Sequence, residues 1–304
     1  MGKFIAVDWG TSSFRAALID DAGGVLRSVS SACGIARVSR AEQAALLLRE
    51  TAPLSEPGLG LPFMLCGMVG SNLGLQEVGY LECPADLMQL AEASTVIRCA
   101  DINGWIVAGL RCTNALGEPD FMRGEETQCL GWLSGLPPGA SGVLCMPGTH
   151  SKWVVCGDGK VQTFNTVPSG ELFGLLRNQS TLVVGEQQSS DAAFLDGVSR
   201  VAGGEPLNQI LFSCRSRVIA GQMQQDVSAD YLSGLIIGAE IACQLKLFPE
   251  LGKQEVAIVG DDNLSNLYQR ALQYFDINSN CFSSAELVAR GLAKLYQQIS
   301  QTPN

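Results

Sequence analysis

Charge is scarce in this chain. Only 16% of its 304 residues are Asp, Glu, Lys or Arg, and the acids outnumber the bases to leave a formal net charge of −10. No basic stripe is available to track a phosphate backbone, which argues against nucleic acid as a partner. A small phosphorylated ligand held by backbone N–H groups stays compatible with that balance. Histidine is scarcer still, with His150 standing alone, and no CxxC occurs among the eleven cysteines. A zinc site therefore lacks its usual ligands. The cysteines are odd in number, scattered, and mostly set in apolar strings such as FMLCGMV and GVLCMPG. They read as small core residues in a reducing compartment. Neither a Walker A sequence nor G-x-G-x-x-G is present, so P-loop and dinucleotide-binding readings lose their sequence support. Long hydrophobic runs are missing as well. The most apolar stretch, YLSGLIIGAEIACQLKLF, carries Glu240 and is too short to span a bilayer comfortably. The N-terminus has no signal-peptide pattern, since Asp8 interrupts its apolar run, and MGKFIA lacks the Ser or Thr of a myristoylation signal. The expectation is a soluble cytoplasmic protein with no membrane partner.

What is abundant is apolar surface and glycine: 46% of residues are hydrophobic and 34 are Gly. That is the profile of a folded, mixed α/β protein with many tight turns, and its length suffices for a large core or two domains. Strands are expected at Phe4–Asp8, Phe14–Ile19 and Val25–Ser31, the last two joined by the turn DDAGG. A helix follows from about Ser39, where Ser39 and Glu42 have capping-box spacing. A buried strand FMLCG leads into the Gly-rich loop GMVGSN, short strands lie near Val96 and Ile106, and FMRGEETQCLGWL reads as a strand end turning into a helix. The Pro-rich, uncharged SGLPPGASG is the best linker. It divides the chain into an N-terminal lobe, 1–137, and a C-terminal lobe, 138–304, whose last helix is a candidate to pack back on the first.

Beyond that linker the pattern restarts. GVLCMPGTHSKWVVCGDGKVQTF is strand, Gly-Thr turn, strand, Gly-Asp-Gly turn, strand. Gly10-Thr11 matches Gly148-Thr149, Ser13 matches Ser151, and Asp20 matches Asp158, all at one constant offset. A duplicated meander explains this better than chance, and a duplication fixes architecture. The final third reads as helical around one strand, Val256–Val259, which ends at Gly260. Asn263 is expected to cap the helix after it, and Ser283 with Glu286 to box the last one.

Two Gly-Thr hairpins and a strand–Gly–helix unit suggest a nucleotide cleft between duplicated lobes. Tight turns of small residues let backbone N–H groups and hydroxyls approach phosphate oxygens. Asp8 has no counterpart in the second copy, where Met146 stands. One acid at one of two equivalent turns suits a single Mg²⁺, which takes one or two carboxylates plus waters and phosphate oxygens. An Asp before a turn is also a common turn stabiliser, and the sequence leaves both readings open.

DWGTSSFRAAL, CGMVGSN, FMRGEETQ, MPGTHSKWV, SGLIIGAE and VGDDNLSNLYQRAL, in that order, resemble the 2-dehydro-3-deoxygalactonokinase family, a branch of the sugar kinase, actin and heat-shock ATPase superfamily. The resemblance spans essentially the whole chain, and RGEETQ with PGTHSKW is specific to the family. It implies an α/β fold of two ribonuclease-H-like (actin-like ATPase) lobes with a cleft between them. It also implies ATP and Mg²⁺ as cofactors, and transfer of the γ-phosphate to the 6-hydroxyl of 2-dehydro-3-deoxy-D-galactonate in galactonate breakdown. By this resemblance Asp8, Gly10, Thr11 and Ser12 belong to the first phosphate turn and Gly148, Thr149, His150, Ser151 and Lys152 to the second. Gly260 with the following helix would receive the adenosine. Met146 departs from relatives with a second acid, so metal ligation would rest on Asp8.

A substrate carboxylate needs a cation, and Arg15, Arg123 and Lys152 lie nearest the turns; each reads equally well as a surface or strand-edge charge. His150 suits a hydrogen bond to phosphate or substrate better than the role of base. Ser71 and Asn72 suit sugar hydroxyls, or are plain turn residues. For the general base the resemblance points to Glu126, with Glu125 as the close alternative; acids are favoured at helix N-termini in any case, so one of the pair is expected to be structural. Two other functions compete. GEE before a helix also resembles exopolyphosphatases, which would make a phosphohydrolase. A non-catalytic actin-like sensor would have no need of Asp8, Glu125 and Glu126. A homodimer is a candidate assembly.

Overall fold

Phe4–Trp9 (β1) is apolar along nearly its whole length and buried on both faces, the condition of a strand inside a covered sheet. It pairs antiparallel with Phe14–Ile19 (β2), which pairs in turn with the exposed edge strand Val25–Ser31 (β3). The connection from β2 to β3 is closed by Asp20, whose Oδ1 accepts the N–H groups of Ala22 and Gly24 at 2.9 and 2.8 Å. These are observations on a computed structural model, which describes residues 2–20, 22–54 and 59–301.

The chain continues through the helix Arg40–Thr51 (α1), the fully buried strand Phe63–Gly67 (β4), Tyr80–Glu82 (β5), Ala85–Asp86 (β6) and the helix Leu87–Ala93 (α2). Thr95–Cys99 (β7), Ile102–Ile106 (β8), Gly109–Thr113 (β9), Pro119–Met122 (β10) and the helix Glu125–Leu133 (α3) follow. The second half runs Gly142–Met146 (β11), Ser151–Gly157 (β12) and Lys160–Val167 (β13), then the helices Ser169–Gln179 (α4), Asp191–Val201 (α5), Leu207–Ile210 (α6), Ser213–Ile219 (α7) and Ser228–Leu247 (α8). Val256–Gly260 (β14), Asp262–Tyr274 (α9), Ser279–Ser283 (β15) and Ser284–Gln301 (α10) complete it.

Two compact units result. The first comprises Met1–Ser141, Val155–Thr163 and Ser283–Asn304; the second comprises Gly142–Val154 and Phe164–Phe282. In the first unit the main sheet has the order β3-β2-β1-β4-β8-β7, with β1, β4 and β8 parallel. A three-stranded sheet, β10-β9-β5, stands beside it. β14 lies parallel to β11, and within the order β15-β14-β11-β12-β13 the run β14-β11-β12-β13 repeats the meander-plus-parallel-strand arrangement of β4-β1-β2-β3. The duplicated turns therefore open duplicated sheets.

α10 belongs to the first unit and packs on α3 at backbone contact distance. A Cβ at Gly131 would fall 2.0 Å from Leu287 O, and one at Gly291 2.0 Å from Thr127 O. Gly291→Ala should push the two helices apart and cost about 1–3 kcal/mol, visible as a lower thermal unfolding midpoint. An unchanged midpoint would mean that the contact is loose.

α8 is buried around nearly its full circumference, among α5, α4, α7 and α9, which explains its apolar composition. No described helix is long and apolar enough to cross a membrane. Two capping expectations are corrected. Asp261, not Asn263, caps α9, accepting the Leu264 N–H at 3.0 Å, because β14 ends immediately before it. Ser39 makes no side-chain bond to the α1 backbone; its hydroxyl donates to the Glu42 carboxylate at 2.5 Å instead.

Candidate active site

In the first unit Asp8 sits near the carboxyl end of β1, opposite Arg15 on β2 and Cys66 on β4. Gly67 follows with φ 85; a Cβ there would lie 2.8 Å from Trp9 O and 3.3 Å from Asp8 Oδ1. Gly124, with φ 109, faces it so closely that its own Cβ would be 3.3 Å from the Gly67 Cα. Two glycines thus let the start of α3 approach Asp8. Burial raises the Asp8 pKa to about 6, with Arg15 opposing (Nη1 to Oδ2 3.8 Å) and the Glu125 charge adding to the rise. A cavity of 560 Å³ is lined by Asp8, Arg15, Ser28, Ser30 and the first turn of α10.

At the start of α3 both carboxylates fold back on the backbone. Glu125 Oε2 accepts the Arg123 N–H at 3.0 Å, and Glu126 Oε2 accepts the Gly124 N–H at 2.6 Å. Glu126 is wholly buried, and its Oε1 has no hydrogen-bond partner. Burial first, then the Glu125 charge, lifts its pKa to about 8. That is the range in which a carboxylate can accept a proton at ordinary pH. Burial and the charges of Asp8 and Glu126 push the Cys66 thiol well above its usual range, so it stays protonated.

Arg123 follows β10 directly and reaches back over β5. Its guanidinium lies 4.3 Å from the Tyr80 ring centroid, Nη2 donates to Val78 O at 2.6 Å, and Nη1 is buried without a partner. A Cβ at Gly70 would come within 2.9 Å of Nη1. Among the described residues this is a cation held firmly with one face left to satisfy, and a carboxylate would satisfy it.

The first turn is clamped from behind: Gly10 O and Thr11 O accept the N–H groups of Ile35 and Ala36, and Trp9 Nε1 donates to Cys33 O. Thr11 and Ser12 remain exposed. Ser71 is turned inward, its hydroxyl donating to Met68 O at 2.7 Å and accepting from the Leu73 N–H at 3.2 Å. Its side chain serves the loop. Asn72 is exposed.

In the second unit Gly148 has open space where a Cβ would stand, and Thr149 and His150 are exposed. Thr149 O accepts the Glu171 N–H at 2.9 Å, and His150 Nε2 meets Glu171 Oε2 at 2.7 Å. Gly260 adjoins the same turn, since its Cβ would lie 3.6 Å from Pro147 O. Two expectations change here. Ser151 is fully buried with its Oγ 2.9 Å from the Tyr268 hydroxyl, and buried Lys152 donates from Nζ to Thr166 Oγ1 at 2.6 Å. Ser151 and Lys152 open β12 and leave it on opposite faces, each toward a buried partner, so the exposed donors of this turn come from Gly148, Thr149 and His150.

The family model for 2-keto-3-deoxy-galactonokinase matches residues 8–295, which takes in every residue of both turns and of the α3 carboxylate pair. The chain belongs to that family. A protein of Rhizobium meliloti (strain 1021) named probable 2-dehydro-3-deoxygalactonokinase is 38% identical over 299 residues, 96% of each chain. The 2-dehydro-3-deoxygalactonokinase of Escherichia coli (strain K12) is 34% identical over 273 residues, 89% of each chain. A crystal structure of a candidate 2-dehydro-3-deoxygalactonokinase from Sinorhizobium meliloti superposes with a TM-score of 0.89 at 36% identity, covering 98% of this chain and 100% of that one. The fold is the mixed α/β fold of that structure, and the family is one of kinases.

For a member of the galactonokinase family, several neighbours of the site were not foreseeable from motifs. Tyr80 stacks on Arg123, and Gly67 makes room for Gly124. Glu240 accepts from Trp153 Nε1 at 2.6 Å and from the Tyr268 hydroxyl at 2.7 Å. Only Glu240 carried a signal, as an acid inside the apolar run LIIGAEIAC.

Proposed function

We propose that the protein transfers the γ-phosphoryl group of ATP to the 6-hydroxyl of 2-dehydro-3-deoxy-D-galactonate. The observation that carries this reading is the pair of unsatisfied buried atoms flanking Gly124, Glu126 Oε1 and Arg123 Nη1. A sugar acid offers both complements: a hydroxyl proton for the carboxylate and a carboxylate for the guanidinium. Glu126 takes the hydroxyl proton as the oxygen attacks phosphorus, Arg123 fixes the acid end, and the N–H groups of Thr11 and Ser12, like those of Gly148–His150 in the second unit, are offered to phosphate oxygens.

Asp8 fits Mg²⁺. It is a hard oxygen donor whose own charge is destabilised by burial, and among the described residues no group of three or more His, Cys, Asp or Glu side chains could hold a metal. A cation with one protein carboxylate and otherwise waters and phosphates matches that set. Bound there, it would neutralise charge on the transferring phosphates. The eleven free cysteines suit a cytoplasmic setting.

Adenosine diphosphate release, measured with and without the sugar acid, tests the proposal. Release that requires the sugar acid supports it; equal release without it, or liberation of inorganic phosphate from polyphosphate, would favour a hydrolase. Arg123→Met keeps bulk and removes the charge. It should raise KM for the sugar acid roughly 10–100-fold, the loss of a charged hydrogen-bonded pair, with KM for ATP unchanged. A rise in both constants would take Arg123 out of the sugar-acid site.

A further inference from the structure

Glu240 is a buried acid with no place in the scheme above, and its contacts gather at the roots of the second turn. Trp153, on β12 just past that turn, donates to Oε1 at 2.6 Å, and Tyr268, on the helix following Gly260, donates to Oε2 at 2.7 Å. Ser169, which opens α4, makes a third side-chain bond to the same carboxylate. The Tyr268 hydroxyl has one hydrogen, and Glu240 takes it. The hydroxyl of Ser151, 2.9 Å away, must therefore donate its own to the Tyr268 oxygen. The relay runs one way, from Ser151 through Tyr268 to Glu240. α4 also carries Gly170, whose Cβ would lie 2.3 Å from Gly148 O, and Glu171, which meets both Thr149 and His150. Three elements packed about the turn, β12, α4 and α9, thus each send one side chain to a single carboxylate of α8.

We propose that Glu240 is a positioning residue that holds the turn Gly148–Ser151 in its ATP-binding conformation, through Trp153, Ser169 and the Tyr268–Ser151 relay. This rests on the reading of that turn as a phosphate turn. Burial raises the pKa of Glu240 and its three donors oppose the rise; toward Trp153 and Tyr268 the carboxyl oxygens are acceptors. An apolar residue would fill α8 as well. Only an acceptor can order three donors from three elements at once.

Four variants test it together: Tyr268→Phe, Glu240→Gln, the double variant of these two, and Gly148→Val. ATP affinity is read by calorimetry, KM values for ATP and sugar acid by steady-state kinetics, and the fold by thermal unfolding. Tyr268→Phe keeps the ring and cuts only the relay. It should weaken ATP binding roughly 3–10-fold, the worth of one buried hydrogen bond, with KM for the sugar acid unchanged. Glu240→Gln should weaken ATP binding at least as much, and the double variant no more than Glu240→Gln alone, since both act on one network. If the unfolding midpoint falls while ATP affinity holds in both, Glu240 is structural only and the proposal fails. Gly148→Val separates that failure from a failure of the underlying reading. If it loses ATP affinity while Tyr268→Phe and Glu240→Gln keep theirs, positioning by Glu240 is wrong. If it too binds ATP normally, the turn is not a phosphate turn and both readings fall.

Discussion

Glu126→Gln is expected to lose about 10²–10⁴-fold in kcat, the usual contribution of a positioned general base, and to become more stable at the same time. The amide keeps the size of the side chain and its bond to the Gly124 N–H, but it cannot take a proton from a hydroxyl. The stability gain follows from the raised pKa, from 4.5 to about 8. Below about 4.5 the carboxyl is neutral in folded and unfolded chains alike. Between those values the unfolded chain loses the proton first, so folding stability falls as pH rises, and above about 8 the loss is complete. Glu126→Gln escapes this, so its advantage should be small near pH 5, grow through neutrality, and reach the order of a few kcal/mol at high pH. Thermal unfolding of both proteins across that range measures it. The wild-type kcat/KM should rise with pH through a midpoint near 8, where the free carboxyl is half ionised, and level off above it. If Glu126→Gln turns over normally while Glu125→Gln is dead, the base is the neighbouring acid; if both are active, it lies outside this helix.

Asp8→Asn should cut Mg²⁺-dependent turnover at least roughly a hundredfold, given the several kcal/mol that charge neutralisation by a metal contributes to phosphoryl transfer. Added Mg²⁺ should restore only part of it. The fold should be untouched. Burial already disfavours the Asp8 charge and raises its pKa from 3.8 to about 6, so above that pH a neutral amide relieves a cost. The variant should unfold at the same temperature as wild type or higher. Near-normal turnover at ordinary Mg²⁺ would return Asp8 to the role of a turn residue. Loss of turnover together with a lower unfolding temperature would show the carboxylate to be structural.

The parts of this protein that could be read from sequence are those decided locally. The meander β1-β2-β3 and its copy β11-β12-β13 were legible because short apolar runs and turn residues sit within a few positions of one another. The strand-to-helix step at Gly124 was legible for the same reason. Where two local solutions competed, the sequence could not choose: Asp261 and Asn263 are both good caps, and only the end of β14 selects the first. The sheet β10-β9-β5 was missed because its strands are 3–5 residues long and their pairing joins Tyr80 to Gly109 across a long gap.

Site residues divide the same way. That Glu126 stands at a helix start is visible in FMRGEETQ; that its Oε1 is buried and unmatched depends on what packs around it. Ser71, Ser151 and Lys152 stand close to turns in the sequence, but side-chain direction is set by strand phase and loop hydrogen bonds. The Glu240 network joins residues 151, 153, 169, 240 and 268, which only tertiary packing brings together.

The most direct test of the account is a structure of the protein with 2-dehydro-3-deoxy-D-galactonate bound. The account predicts the sugar-acid carboxylate on Arg123 Nη1 and the 6-hydroxyl within hydrogen-bond distance of Glu126 Oε1. A sugar acid bound elsewhere, with both of those atoms still unmatched, would contradict it.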